Sequence, residues 1–245
     1  MPYRRLPNTD EARIRSLKSA VDNGYAENPR DLTISFQLLD EGRSFLDDLG
    51  KARLNYKLNL DRQAKENIKY QKLIKQAQLY ISHFIQVINL CVIRGEIKKE
   101  YKAFYGLNPD NFSVPGMNSE RAVLEWGRKI IEGEQERIAN GGIPIYTPTI
   151  AKVSVHYDLF RDAYLMQKNL REKTTDSLKE LTELREKVDV LIPDIWNRIE
   201  KKYKNLPLSE RLEKCKQYGM IYYLRKEEKE ELENQSVESE DQLTS

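Results

Sequence analysis

The sequence predicts an all-α protein: an elongated helical bundle built around a long antiparallel helical hairpin, with short accessory helices at both ends. Charged residues make up 33% of the 245 residues, whereas there are only 11 Gly and 9 Pro. This composition is typical of long, solvent-exposed helices rather than of a β-sandwich, which needs frequent turns. Apolar residues also recur at helical spacing over two very long stretches, and these predict the two arms of the hairpin.

The first half of the chain predicts a short helix followed by a very long one. Asn8 and Glu11 form a capping arrangement for a helix over about 9–24. From about 31 to 105 only isolated glycines oppose a helix, and an apolar stripe follows one face. The middle of this span is almost wholly polar, so a break near 60–67 is the main alternative to one continuous helix. The stripe consists of Phe45, Leu49, Ala52, Tyr56 and Leu60.

The second half predicts a shorter helix and then another long one. A Gly-, Pro- and Asn-rich loop precedes a helix over about 119–139. Thr147 and Pro148 then read as an N-cap and a first helical position, which predicts a helix to about Lys204. Pro193 falls inside it and predicts a kink or a local break. Its apolar positions approximate a coiled-coil seam: Leu178, Leu181, Leu184, Val188, Leu191, Ile195 and Ile199.

Residues 1–228 are predicted to form a single domain. A last short helix, "LSERLEKCKQY", is expected to stop at Gly219. The strand-like "MIYYL" after it needs a backbone partner, either "IPIYT" or the side of the bundle. The acidic residues 229–245 are predicted to form a disordered tail.

Composition and charge argue against several classes of function. A formal net charge of +2 does not favour binding to nucleic acid. The two cysteines have neither disulfide-framework nor zinc-site spacing. The first residues are basic without an apolar segment behind them, so no secretory signal is predicted. A cytoplasmic location is expected.

The stretch "QLYISHFIQVINLCVIRGEI" carries no formal charge from Leu79 to Ile93 when His83 is neutral. A membrane span needs about 20 mostly apolar residues, and this run is shorter and interrupted by polar ones. It therefore predicts a helix buried by several neighbours rather than one inserted stably into a membrane.

A polar stripe on this helix is the candidate site. A structural role is preferred, in which Gln86 and Asn89 pair across the bundle and fix helix register. The alternative is a ligand or enzymatic pocket in the same place. Neither histidine belongs to a metal-binding helical motif, so no metal or cofactor is predicted. Carboxylates interleave with Lys and Arg and predict solvated helix faces rather than catalytic pairs. The candidate residues are Ser82, His83, Gln86, Asn89 and His156.

Four segments resemble an uncharacterised family of all-helical cytoplasmic proteins from bacteria. They are "MPYRRLPNTDEARIRSLK", "AQLYISHFIQVINLCVIRGEI…FYGL", "LEWGRKIIEGEQERI" and "ERLEKCKQYGMIYYLR". The resemblance implies a bacterial, cytoplasmic, helical protein and carries no activity or site residue with it.

Two functions are therefore expected. The first is a non-catalytic structural or adaptor protein that acts through protein–protein contacts, either with a partner or by self-association. The alternative is a ligand-binding or enzymatic bundle whose polar pocket surrounds His83, Gln86, Asn89 and His156.

Overall fold

The computed structural model describes residues 2–30 and 32–225 and confirms the all-α class. The fold is a helical bundle built around a long antiparallel hairpin of α2 and α4. The helices are α1 (Asp10–Ala26), α2 (Phe36–Ile93), a 3-10 helix (Lys99–Tyr105), α3 (Glu120–Ala139), α4 (Ile150–Lys202) and α5 (Leu208–Gln217). The two short strands are β1 (Tyr3–Arg4) and β2 (Tyr222–Tyr223). The predicted disordered tail, 229–245, lies outside the described residues.

Helix α2 is continuous through the polar span 60–67, so the alternative of a break there is wrong. It ends at Ile93, earlier than the predicted Tyr105. The reason is Gly95, whose φ of 75° takes the left-handed conformation that terminates helices. The N–H of Glu96 then reaches back to the carbonyl of Cys91 at 2.9 Å.

Helix α4 also runs without interruption, and it continues through Pro193. Its predicted N-terminus is wrong by two residues. Thr149 rather than Thr147 caps the helix, because the hydroxyl of Thr149 accepts a hydrogen bond from the N–H of Lys152 at 3.3 Å.

The caps of the shorter helices follow the same chemistry. Thr9, one residue after the predicted Asn8, caps α1 by accepting from the N–H of Ala12 at 3.2 Å. Ser119 caps α3 in the same way, by accepting from the N–H of Ala122. Gly219, with a φ of 80°, follows α5 as predicted.

The chain divides into two compact units, each with its own core. Unit 1 comprises 1–58 and 175–245, of which 2–30, 32–58 and 175–225 are described; unit 2 is Asn59–Thr174. Trp196 is the largest fully buried side chain of unit 1, and Phe84 and Tyr105 are among the largest of unit 2. The single domain predicted for 1–228 stays a prediction.

The strand-like "MIYYL" finds its partner at the start of the chain rather than in "IPIYT". Strand β2 pairs antiparallel with β1, with Tyr3 opposite Tyr223 and Arg4 opposite Tyr222. The N–H of Arg5 extends the pairing to the carbonyl of Ile221 at 2.8 Å. This two-stranded contact supplies the hydrogen-bond partners that the backbone of the "MIYYL" segment needs.

Two bidentate ion pairs hold α1 against α4 within unit 1. Arg185 donates to both carboxylate oxygens of Asp10 at 2.7 and 2.6 Å. Arg13 donates to both oxygens of Asp189, each at 2.7 Å. The hydrogen bonds from Arg185, partly opposed by burial, hold the pKa of Asp10 below its ordinary value.

We expect Asp10→Asn to lower the free energy of unfolding by about 1–2 kcal/mol at pH 7, since it removes a charge-assisted bidentate contact. The lowered pKa means that this stabilisation is complete above about pH 4 and is lost as the pH falls through the folded-state value. Urea unfolding of both proteins at pH 7 and pH 2.5 tests this. A difference that is equally large at both pH values would contradict it.

Candidate functional site

The five predicted site residues lie in different surroundings. Asn89 is buried, with 5% of its surface exposed, whereas His83 and Gln86 are exposed. Ser82 is half-buried and donates to the carbonyl of Gln78 at 2.6 Å. His156, on α4, stacks on Tyr80 with ring centroids 4.0 Å apart. Among the described residues no hydrogen bond or ring contact joins any two of the five.

The buried part of the polar stripe holds a loop rather than a facing helix. The Nδ2 of Asn89 donates to the carbonyl of Phe112 at 2.9 Å, and Gln78 donates to the carbonyl of Met117 at 2.7 Å. These two hydrogen bonds join α2 to carbonyl groups of the loop, whereas the side chain of Gln86 is exposed. A helical wheel places the two side chains near each other, but it does not show where a loop crosses the helix.

Lys102 supports the same loop from the 3-10 helix. Its side chain is fully buried, and its Nζ donates to the carbonyl of Asn111 at 2.6 Å. The ammonium also lies 4.2 Å from the centre of the Phe112 ring. Burial lowers the pKa of Lys102. Its one hydrogen bond and ring contact make it a structural cation of the loop.

A second buried polar cluster, in unit 2, was missed by the sequence reasoning. Glu134 and Arg137 of α3 are 0% and 2% exposed and are joined by hydrogen bonds of 2.8 and 2.9 Å. The hydroxyl of Tyr105 donates to Glu134, and so does the N–H of Ile145 at 3.1 Å. Burial, followed by the hydrogen bond to Glu134, raises the pKa of Tyr105.

This cluster is closed and saturated, so it holds structure together rather than offering groups to a substrate. Arg137 also donates to the carbonyl of Ile143 at 2.8 Å, which ties the connection between α3 and α4 to the core. The spacing of Glu134 and Arg137 equals that of an exposed ion pair on a helix. The sequence therefore contained no signal for the burial of this pair.

A row of exposed residues follows one face of α2 in the candidate region. Its positions are spaced by three, four, three, four and three residues, as in the a and d positions of a heptad. All six side chains are exposed, and the three aliphatic ones retain 65%, 49% and 65% of their surface for Leu79, Leu90 and Ile93. We call this the α2 seam: Gln76, Leu79, His83, Gln86, Leu90 and Ile93.

The same part of α2 is the one candidate membrane segment among the described residues. An 18-residue window of the helix reaches a mean hydropathy of 1.2, and 39% of it is buried inside the fold. The core helix of a soluble protein passes the same test, so this is weak evidence for a membrane span. The described residues contain no group of three or more His, Cys, Asp or Glu able to hold a metal ion.

Comparison with known proteins adds no relative: no protein-family model, no curated protein and no solved structure matches this chain. The resemblance to an all-helical bacterial family therefore stays a prediction.

Proposed function

We propose that this protein is a non-catalytic structural or adaptor protein that acts through protein–protein contacts, and that its contact surface is the α2 seam. The partner is a second copy of the chain. The observation that carries the proposal is the self-complementary order of the exposed seam residues.

An antiparallel pairing of two seams matches apolar with apolar and polar with polar side chains in its four inner layers. With the two-fold axis between residues 84 and 85, Leu79 of one copy meets Leu90 of the other, and His83 meets Gln86. Antiparallel coiled coils pair a with d positions, and every layer here obeys that rule, with Gln76 opposite Ile93. A two-fold axis makes such a contact isologous and closed, which gives a dimer rather than a fibre.

The absence of charged residues from the seam also favours a second copy of the chain as the partner. No Asp, Glu, Lys or Arg occurs from Gln76 to Ile93, so two copies bring no like charges together across the six layers. The four leucines, in the layers on either side of the central His83–Gln86 layers, supply most of the apolar burial, at about 25 cal/mol per Å². Six layers are a short contact, and we expect a dissociation constant on the order of micromolar.

Leu79→Glu is expected to convert the dimer into a monomer, because it sets a carboxylate against Leu90 of the other copy. Sedimentation velocity of the full chain from about 1 to 200 µM measures the change. The matched control is Ile68→Glu, which replaces another exposed aliphatic residue of α2, 64% exposed, outside the paired layers. Equal loss of dimer in both variants, or a wild type that is monomeric throughout, would contradict the proposal.

A charge-pair design tests the register. In the antiparallel pairing His83→Glu with Gln86→Lys places opposite charges face to face and strengthens the dimer. His83→Glu with Gln86→Glu places like charges together and weakens it. A parallel pairing would weaken both, since each residue then meets its own copy. Binding of the wild type to lipid vesicles in place of dimerisation would indicate that a membrane surface covers the seam instead.

A further inference from the structure

His83 is the one residue of the α2 seam that titrates near neutral pH. The chain contains only one other histidine, His156. A histidine side chain in water changes its charge between about pH 5 and 8. The side chain of His83 is exposed in a single copy of the chain, so it exchanges protons with water. The charge of the α2 seam therefore depends on pH through His83.

The two-fold axis of the proposed dimer brings both copies of His83 to its centre. With the axis between residues 84 and 85, His83 of each copy lies opposite Gln86 of the other, and these two layers are adjacent. The two imidazoles are separated by three residues along the helix axis, which is about 4.5 Å. A Leu79–Leu90 layer lies on each side of them. Protonation of both would place two like charges close together between apolar layers, where water screens them less than in a single copy.

Helix α2 offers no charge that could compensate these protons. No Asp or Glu occurs from Gln76 to Ile93 in either copy. The first charged residues beyond the seam are Lys75 and Arg94, which are both cations. Each lies more than about 10 Å from His83 along the helix axis. The dimer therefore contains no carboxylate on α2 beside the two imidazoles.

Helix α4 adds a basic group on one flank of the seam. His156 stacks on Tyr80 with ring centroids 4.0 Å apart, and the Nζ of Lys152 lies 5.4 Å from the centre of the Tyr80 ring. Tyr80 precedes His83 by three residues, so the two side chains are neighbours on the helix surface. The flank formed by α4 thus carries a cation and a second imidazole.

Within the described residues of one copy, no hydrogen bond or ion pair joins His83 to an acid. Helix α3 and the 3-10 helix pack on the core side of α2, where Gly127 lies against Ile81 and Tyr105 against Phe84. Ile81 is about 160° around the helix from His83. Three acids of the surrounding elements are already held in ion pairs of 3.0 Å or less: Glu96 with Arg94, Asp110 with Lys99, and Asp158 with Arg161.

We propose that protonation of His83 dissociates the dimer, so that the α2 seam is a pH-dependent contact; this inference rests on the proposed function. A neutral imidazole can exchange a hydrogen bond with the amide of Gln86 of the other copy. The single copy keeps a protonated His83 in water, whereas the dimer crowds two of them without an acid. Protons therefore bind the single copy better, and linkage requires that a fall in pH favours it. The contact forms above about pH 7.5 and is lost below about pH 6.

Sedimentation velocity of the full chain at pH 7.5 and pH 5.5 measures the effect. We expect the dissociation constant of the wild type to be at least about tenfold larger at pH 5.5, since each dissociating dimer takes up two protons. A wild type that is monomeric at both pH values would contradict the proposed function itself. A dimer with equal or higher affinity at pH 5.5 would leave that function standing and overturn the pH dependence.

Variants of the two histidines identify the group that binds the proton. The readout for each variant is the ratio of its dissociation constants at the two pH values, so a change in the affinity itself cancels. His83→Gln and His83→Leu, one polar and one apolar, are both expected to bring this ratio close to one. His156→Gln is the matched control, because it removes the other histidine, and it should keep the ratio of the wild type. A wild-type ratio in both His83 variants, or a ratio of one in His156→Gln, would overturn the proposal.

Discussion

Arg137→Met is expected to lower the free energy of unfolding of unit 2 by about 3–5 kcal/mol, because it leaves the buried carboxylate of Glu134 without its cation. Arg137 is 2% exposed and donates to both oxygens of Glu134 and to the carbonyl of Ile143. No water reaches the carboxylate to replace these contacts, since Glu134 is 0% exposed.

Urea unfolding followed by the fluorescence of Trp126, in a Trp196→Phe background, reports on unit 2. The control is Arg128→Met on the same helix. Arg128 pairs with Glu132 at 3.6 Å, but both side chains are 60% exposed, and surface pairs contribute less than about 1 kcal/mol.

The double variant Glu134→Gln with Arg137→Met sharpens the test. It removes both charges and keeps an acceptor for the N–H of Ile145 and the hydroxyl of Tyr105. We expect it to be destabilised by about 1–3 kcal/mol, less than Arg137→Met alone. Additive losses would mean that the ion pair is not what holds α3 and its following connection together.

Leu181→Ala is expected to lower the stability of unit 1 by about 2–5 kcal/mol, the cost of removing buried methyl groups and leaving a cavity. Leu181 is 1% exposed and belongs to the core that also contains Leu49, Ile195 and Trp196. Its side chain contacts the core of its own chain and is not available to a partner.

The measurement is urea unfolding monitored by Trp196, with Trp126→Phe as background. Leu54→Ala is the matched control: it removes the same atoms from a residue of unit 1 that is 58% exposed. We expect the control to change stability by no more than about 0.5 kcal/mol. A loss at Leu54 comparable to that at Leu181 would contradict this assignment of the core.

Much of the local architecture could be predicted because local rules dominate it. Helical periodicity defined α3 and α4 to within two residues, and Gly219 marked the end of α5 through its capping chemistry alone. Where local rules competed, the prediction failed. Asn8 and Thr9 are both good N-caps, and adjacent position alone does not decide between them. In the sequence Gly95 cannot be told from a glycine inside a helix. Its left-handed conformation, which ends α2, is visible only in the structure.

The candidate site was less predictable, because burial depends on which face of a helix meets a neighbour. The apolar run from Leu79 to Ile93 predicted burial on most sides, yet Leu79, Leu90 and Ile93 are exposed. Asn89 and Gln86 look alike on a helical wheel, but a loop carbonyl meets only Asn89. Glu134 and Arg137 resemble an ordinary surface pair and are buried.

The amino-acid sequence by itself determined the helical class, the long hairpin and most helix ends, because periodicity, capping and glycine conformation act over a few residues. The tertiary structure alone decided the exposed α2 seam and the buried Glu134–Arg137 cluster. Each of these depends on whether residues distant in the chain shield a side chain from water or leave it exposed. The spacing of residues along one helix does not contain that information.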